Sequence, residues 1–308
     1  LPLVVSAPAP RIIAGLPGRG SLNNKLRSLR LSLSLSLSLS RSPPSQIPYF
    51  VMPLWMHVFF NYSWTMFCTA WYAASVPYSL CLMVYGFGKE DISMTGLLLY
   101  MIVSYMIIFT GLCIVSTLLN ILFKWVVIGR RVVGQQGWDT HSYCQRWQIY
   151  LTLEQIARRP KVGDLTGGGF MALLQGSWYL CWFFRRLGAT IGQDVCLYPT
   201  SADPMMTEPD LVTLDDGACI DSASLISHIN SRGAFALNAL KVGAGSCLRS
   251  TSRLLSGASM EANATLLEHT LVLGGDLVDE NTIVQGWPAN IVLNRDALDA
   301  AATTALKT

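Results

Sequence analysis

The chain has 308 residues, 51% of them hydrophobic and only 13% charged, with a net charge of +3 and a mean hydropathy of +0.39. A soluble domain carries about a quarter charged residues, so the composition excludes an ordinary soluble protein and points to a membrane. Charge is unevenly placed: residues 1–189 hold 16 Lys and Arg against 5 Asp and Glu, while residues 190–290 hold 4 against 12. Two physically different parts are therefore joined, a basic front and an acidic back, and no nucleic-acid partner is expected.

Residues 1–51 contain the run LSLSLSLSLS, Leu31 to Ser40, flanked by Pro, Gly, Arg and Ser. Strict alternation would suit a half-buried strand, but a two-residue repeat without β-branched or aromatic residues is low complexity. It fits a disordered tail, and equally a translated CT repeat, since no methionine precedes Met52. No chemistry is assigned to it.

Between Arg41 and Lys89, and again between Asp91 and Lys124, there is no Lys, Arg, Asp or Glu. Each gap exceeds the roughly 20 residues that cross a hydrocarbon core as a helix. Two transmembrane helices are expected at about 54–87 and 93–123, the first kinked at Pro77. Lys124, Arg130 and Arg131 follow the second span, whereas the connection GKEDIS is slightly acidic. The positive-inside rule then puts both long flanks in the cytoplasm. Neither span holds a charged residue of the kind that carriers place at the bilayer midplane. His57 reads as an interfacial residue, and residues 52–131 as an anchor.

Residues 132–189 read as a membrane-surface linker. RWQIYLTLEQIARRPK, Arg146 to Lys161, is helical by its apolar spacing and basic at its end, suited to anionic lipid. Gly167 to Gly169 form a hinge, with no Lys-Ser/Thr after them to make a phosphate loop. FMALLQGSWYLCWFF, residues 170–184, is short for a crossing, so an interfacial or re-entrant helix is favoured over a third span.

The acidic part repeats every six residues. Val242, Leu248, Leu254, Met260, Leu266, Val272, Val278 and Val284 are all aliphatic or Met. Four residues after each stand Ser246, Ser252, Ala258, Ala264, Thr270, Asp276, Thr282 and Pro288, almost all small. Eight consecutive apolar hits would arise by chance less than about once in a hundred trials. The register recurs in Leu214, Ile220 and Ile226, and in Ile191 and Leu197. Six is not a helical period, and the glycines of this region would each cost about 1 kcal/mol inside a helix. The pattern is that of a left-handed parallel β-helix, three hexads to a coil, with the anchors stacked inside. The expected fold is thus a transmembrane helical hairpin followed by an all-β left-handed parallel β-helix, a hexapeptide-repeat solenoid, at residues 190–290, with 291–308 as a tail. Two interruptions, DPMMTEPD (Asp203 to Asp210) and NSRGAFALN (Asn230 to Asn238), are expected to leave the prism as loops, where solenoid function usually sits. Cys196, Cys219 and Cys247, with no C-x-x-C spacing, read as buried reduced thiols.

The hexads, the loop ADPMMTEPDLVT and the closing GWPA (Gly286 to Ala289) resemble the hexapeptide-repeat acyltransferases. More closely, they resemble the membrane-embedded C-terminal modules of non-ribosomal-peptide-synthetase-like proteins of the ε-poly-L-lysine synthetase type. RRLGATIG, Arg185 to Gly192, is similar to the linker by which those modules enter the β-helix. The resemblance covers roughly residues 95–290. It implies a membrane-anchored module that transfers or condenses an activated acyl or aminoacyl group onto an amine or hydroxyl. The donor it implies is a thioester of coenzyme A or of a phosphopantetheine carrier, with no tightly bound cofactor. The full synthetases carry adenylation and carrier domains that these residues do not supply, so separate adenylation and carrier proteins become expected partners. The alternatives are a fragment of a larger synthetase or a non-catalytic membrane-tethered scaffold. A homo-oligomer, a trimer in the related soluble enzymes, is also implied.

Acyl transfer needs a base for the acceptor's proton, and histidine suits neutral pH. His228 opens the second interruption, whereas His269 stands within a regular hexad. The resemblance places a catalytic histidine in a cleft shared with a loop, which favours His228. Asp203, Glu208 and Asp210 could orient a histidine, bind a cationic acceptor or simply cap the loop. With two histidines in this part of the chain, the three-histidine zinc site of related carbonic anhydrases cannot be assembled, and no metal site is expected.

Overall fold

The computed structural model describes residues 52–87, 93–138, 141–158, 171, 174–200, 205–231 and 233–297. All fall in one compact unit, Ser42–Thr308. The expectations for residues 1–51, for the glycine hinge at 167–169 and for Asp203 lie outside the described residues.

The helical part begins with α1 (Leu54–Ala73) and α2 (Ser75–Phe87), followed by α3 (Met94–Phe123). The break falls at Ala74, just ahead of Pro77, because proline tolerates the first turn of a helix but clashes with the carbonyl four residues before it. A π-helical turn, Lys124–Ile128, extends α3, and Ser93 caps its start by accepting from the Gly96 amide at 3.2 Å. Leu54–Tyr85 and Met94–Ile128 are each long and apolar enough to cross a membrane. Only 22% and 11% of their most apolar windows are buried, unlike core helices of a soluble protein. The polar residues of α3 turn inward: Ser104, Ser116, Thr117 and Asn120 are buried, and the Trp71 indole donates to Ser116 Oγ at 3.0 Å.

The linker packs on protein along one face. Helix α4 (Ser142–Leu153) and the short α5 (Gln155–Arg158) are tied to the hairpin by three hydrogen bonds. These are Tyr150 Oη to Asn120 Oδ1 at 3.1 Å, Thr152 Oγ1 to Asn61 Oδ1 at 2.7 Å, and Tyr72 Oη to the Ile156 carbonyl at 2.5 Å. Of residues 170–184, Trp178 onward belongs to α6 (Trp178–Leu187), ten residues long and about 15 Å at helical rise, half a hydrocarbon core. Leu180, Cys181, Phe183, Phe184 and Leu187 are buried, and they share one hydrophobic core with the solenoid anchors. Helix α6 is thus the cap that closes the first coil, and Gly188 ends it in the left-handed conformation, φ +111°.

The solenoid has three parallel faces. One stacks Ile191, Leu214, Val242, Met260 and Val278 in register. The second stacks Leu197, Ile220, Leu248, Leu266 and Val284. The third stacks Met206, Leu225, Leu254 and Val272. These anchors are buried, and removal of each from water contributes about 1.5–3 kcal/mol. The small series fits the tight corners: Ser246, Ser252, Ala258, Ala264, Thr270 and Thr282 are all fully buried. A Cβ on Gly243 would stand 2.5 Å from the Glu261 carbonyl carbon of the next coil, so only glycine fits that approach.

Four details depart from expectation. The anchor of the third face is Leu225, not Ile226, because the chain gains its side-to-side shift one residue early, ahead of the interruption. The interruption itself is no loop but a β-hairpin, His228–Ser231 with Ala234–Leu237. Gly233 supplies the positive φ of its tight turn. Gly134–Gly137 adds a third antiparallel strand to it, while Phe235 and Leu237 bury into a second core with Ile128, Tyr143 and Tyr150. Finally, Asn290–Asn294 folds back antiparallel on Thr282–Gln285, covering the end strand of the second face where a tail was expected. Cys196, Cys219 and Cys247 lie on the outer face and are partly exposed rather than buried.

Candidate active site

Where the two interruptions meet, Glu208 and His228 form a pair. Glu208 precedes a 3-10 turn, Pro209–Leu211, and its side chain is fully buried. Glu208 Oε1 lies 2.9 Å from His228 Nδ1. Its Oε2 accepts the Ser227 backbone N–H at 3.2 Å and the Thr207 hydroxyl. An ionised carboxylate accepts only, so the Nδ1 proton belongs to the histidine and Nε2 is left as the basic nitrogen.

Aromatic rings hold the imidazole on two sides. Phe235, across the hairpin, stacks at 5.3 Å between centroids and 13°; Trp147 of α4 meets the ring edge-on at 5.4 Å and 66°. Trp147 and Phe235 touch each other at 5.2 Å. The His228 side chain keeps 21% of its surface open. One face is locked and one edge is reachable, the geometry a proton-transfer group needs.

Asp210, two residues on, behaves differently. Its side chain is 2% exposed, with Arg131 Nη1 at 2.8 Å and Lys124 Nζ at 3.2 Å. The Arg131 backbone N–H donates to it at 2.6 Å. Burial alone would raise this carboxyl, but the charge and hydrogen bonds of Arg131, with Lys124, hold it below the usual range. The triad ties the end of the second apolar helix to the solenoid. Arg131 Nε also donates to Tyr143 Oη at 3.1 Å, and burial pushes the Tyr143 phenol up to about 12. A small recess between α6, Asn120, Tyr150, Glu154, Arg158 and the Thr207–Pro209 backbone is lined half by apolar side chains, and neither Glu208 nor His228 opens onto it.

His269 stands apart. It is exposed at a solenoid corner with φ +56°, its Nδ1 2.7 Å from Thr251 Oγ1, while neighbouring Glu268 accepts from Arg249 at 3.0 Å. No contact among the described residues joins it to Glu208, Asp210 or His228. Among the described residues no cluster of three His, Cys, Asp or Glu could hold a metal ion. The sequence marked His228, with Glu208 as one of three acids that could orient a histidine, and it gave no sign of Trp147 or Phe235 at the site. Arg131 reads in the sequence as a charge flanking the second apolar helix, and Trp147 as one residue of an amphipathic helix; their contacts come from tertiary packing.

No family model and no curated protein matches the sequence. Among solved structures, the chain is similar to a hexapeptide-repeat-containing acetyltransferase from Vibrio cholerae, at 12% identity over 44% of this chain and 93% of that one, TM-score 0.32. A galactoside acetyltransferase in complex with coenzyme A matches at 12% identity over 39% and 72%, TM-score 0.32. A perosamine N-acetyltransferase from Caulobacter crescentus, in complex with coenzyme A and GDP-perosamine, matches at 16% over 33% of this chain, TM-score 0.23. This chain spans 40% of the length of that last structure.

Proposed function

We propose that the protein is a membrane-anchored acyltransferase in which His228 is the general base and Glu208 its positioning partner. The observation that carries the reading is the fully buried Glu208 carboxylate bonded to a partly open histidine at 2.9 Å. An isolated buried carboxylate is costly, and this one is retained with both oxygens engaged, one of them on the imidazole. As the acceptor's nitrogen or oxygen attacks the thioester carbonyl, its proton passes to His228 Nε2. The carbon–sulfur bond then breaks, and the imidazolium returns the proton to the departing thiolate. Glu208 keeps Nδ1 protonated throughout and stabilises the transient positive charge. The donor class, a thioester of coenzyme A or of a carrier protein of the synthetase type, follows the resemblance set out above. Asp210 is a tether, and His269 takes no part.

The remaining elements of the reading are a left-handed coil, supported by the six-residue period, a homo-oligomer, and a solenoid on the cytoplasmic face, supported by the charges after the second span. Protease added to sealed vesicles digests the solenoid only when the cytoplasmic face is outward. Activity is tested with the full chain in liposomes, acetyl-coenzyme A as donor, and separate panels of primary amines and hydroxyl compounds. The expected result is acceptor-dependent release of the coenzyme A thiol with an acylated product. No thioester consumption with any acceptor would overturn the reading in favour of a tethered scaffold.

A further inference from the structure

On the outer face of one solenoid wall, Cys196, Cys219 and Cys247 occupy the same position on three successive coils. Each pairs in register with the next, beside the inward anchors Leu197, Ile220 and Leu248. Registered parallel strands lie about 4.7–4.9 Å apart, inside the roughly 4.4–6.8 Å Cα window of a disulfide. All three are free thiols and partly exposed. Within the stripe, Cys219 faces Cys247 across one strand pair. The neighbouring Cys219, aided by the Arg249 charge, draws the Cys247 thiol below its ordinary value against burial and the Asp221 and Glu268 carboxylates. The neighbouring Cys247, with burial, pushes Cys219 up, so Cys219 stays a thiol. A thiolate beside a thiol that can resolve it is the arrangement on which reversible thiol oxidation depends.

We propose that Cys219 and Cys247 are a peroxide-responsive modification site that closes to a disulfide and staples two adjacent coils. The Cys247 thiolate attacks one peroxide oxygen, the O–O bond breaks, and Cys247 becomes a sulfenic acid as hydroxide leaves and takes up a proton. The Cys219 sulfur then attacks Cys247 sulfur, its proton leaving with the hydroxyl as a second water. Two thiols lose two electrons in all, and one peroxide becomes two waters. The loop so closed contains the hairpin that carries His228, so the staple reaches the candidate site through the backbone and would act on it whatever reaction that site performs.

The test uses the full-length protein in detergent micelles, treated with a few equivalents of hydrogen peroxide, alkylated, digested and mapped without reduction. The expected product is a Cys219–Cys247 linked peptide that dithiothreitol removes. Cys219→Ser should instead leave a sulfenic acid on Cys247 that dimedone captures. In the untreated protein, alkylation of Cys247 should rise with pH at a midpoint below the 8.5 or so of an ordinary thiol. Both thiols remaining alkylatable after peroxide, a Cys196–Cys219 link in place of the expected one, or an ordinary midpoint at Cys247 would each overturn the proposal.

Discussion

Asp210→Asn probes the joint between the apolar helices and the solenoid. In the native protein one carboxylate answers three donors, at 2.6, 2.8 and 3.2 Å, and neither cationic side chain of the triad has any solvent exposure. An amide keeps one acceptor oxygen but presents its N–H₂ to a second donor, leaving Arg131 and Lys124 buried without a counter-charge. Breaking a buried ion pair in this way costs about 3–5 kcal/mol. For a folded part of this size each kcal/mol moves the midpoint by about 2–4 °C, so a fall of roughly 6–20 °C is expected. Thermal unfolding in detergent, followed by tryptophan fluorescence, measures it. The apolar triple variant, with Lys124→Met, Arg131→Met and Asp210→Leu, should recover most of the loss, since well-packed apolar replacements of a buried pair are often neutral. A midpoint for Asp210→Asn within experimental error of the native value would refute the joint.

Because the folded Asp210 carboxyl sits below its reference of 3.8, its contribution is fully present above that value and is lost as pH falls through the lower folded one. The stability gap between native protein and Asp210→Asn, measured by denaturant titration, should therefore be constant above about pH 5 and shrink below about pH 4. Glu208→Gln removes the charge that steadies the imidazolium while keeping the shape; kcat should drop by roughly 10- to 100-fold with KM little changed, as steady-state kinetics would show. Gly243→Ala forces a Cβ to within 2.5 Å of backbone in the next coil, and a stability loss of about 1–3 kcal/mol by denaturant unfolding is expected.

The solenoid could be read from the sequence because its rule is local and repeated: an aliphatic anchor every six residues and a small residue four later leave one way to close a coil. Where the rule is interrupted, the reading slipped. Leu225 and Ile226 are both aliphatic, so composition alone could not show which faced inward. The second interruption hid a hairpin because its alternation, Ala234 to Leu237, is only four residues long. Its third strand, Gly134–Gly137, has no apolar pattern at all and is held by backbone pairing. The site divided the same way. A histidine at a break and an acidic loop were visible, but the Glu208–His228 bond joins residues twenty apart. The Trp147 and Arg131 contacts depend on tertiary packing that no local spacing records. Asp210 looked like a loop-capping acid because its partners stand about eighty residues earlier, at the end of the second apolar helix.

The most direct measurement is the kcat/KM of acyl transfer for native protein and His228→Ala, with both proteins shown folded by the same thermal midpoint. A general base supplies roughly 100-fold or more. The native protein should exceed the variant by at least that factor, while His269→Ala should match the native rate. Equal rates for His228→Ala and native protein would contradict the assignment of the base.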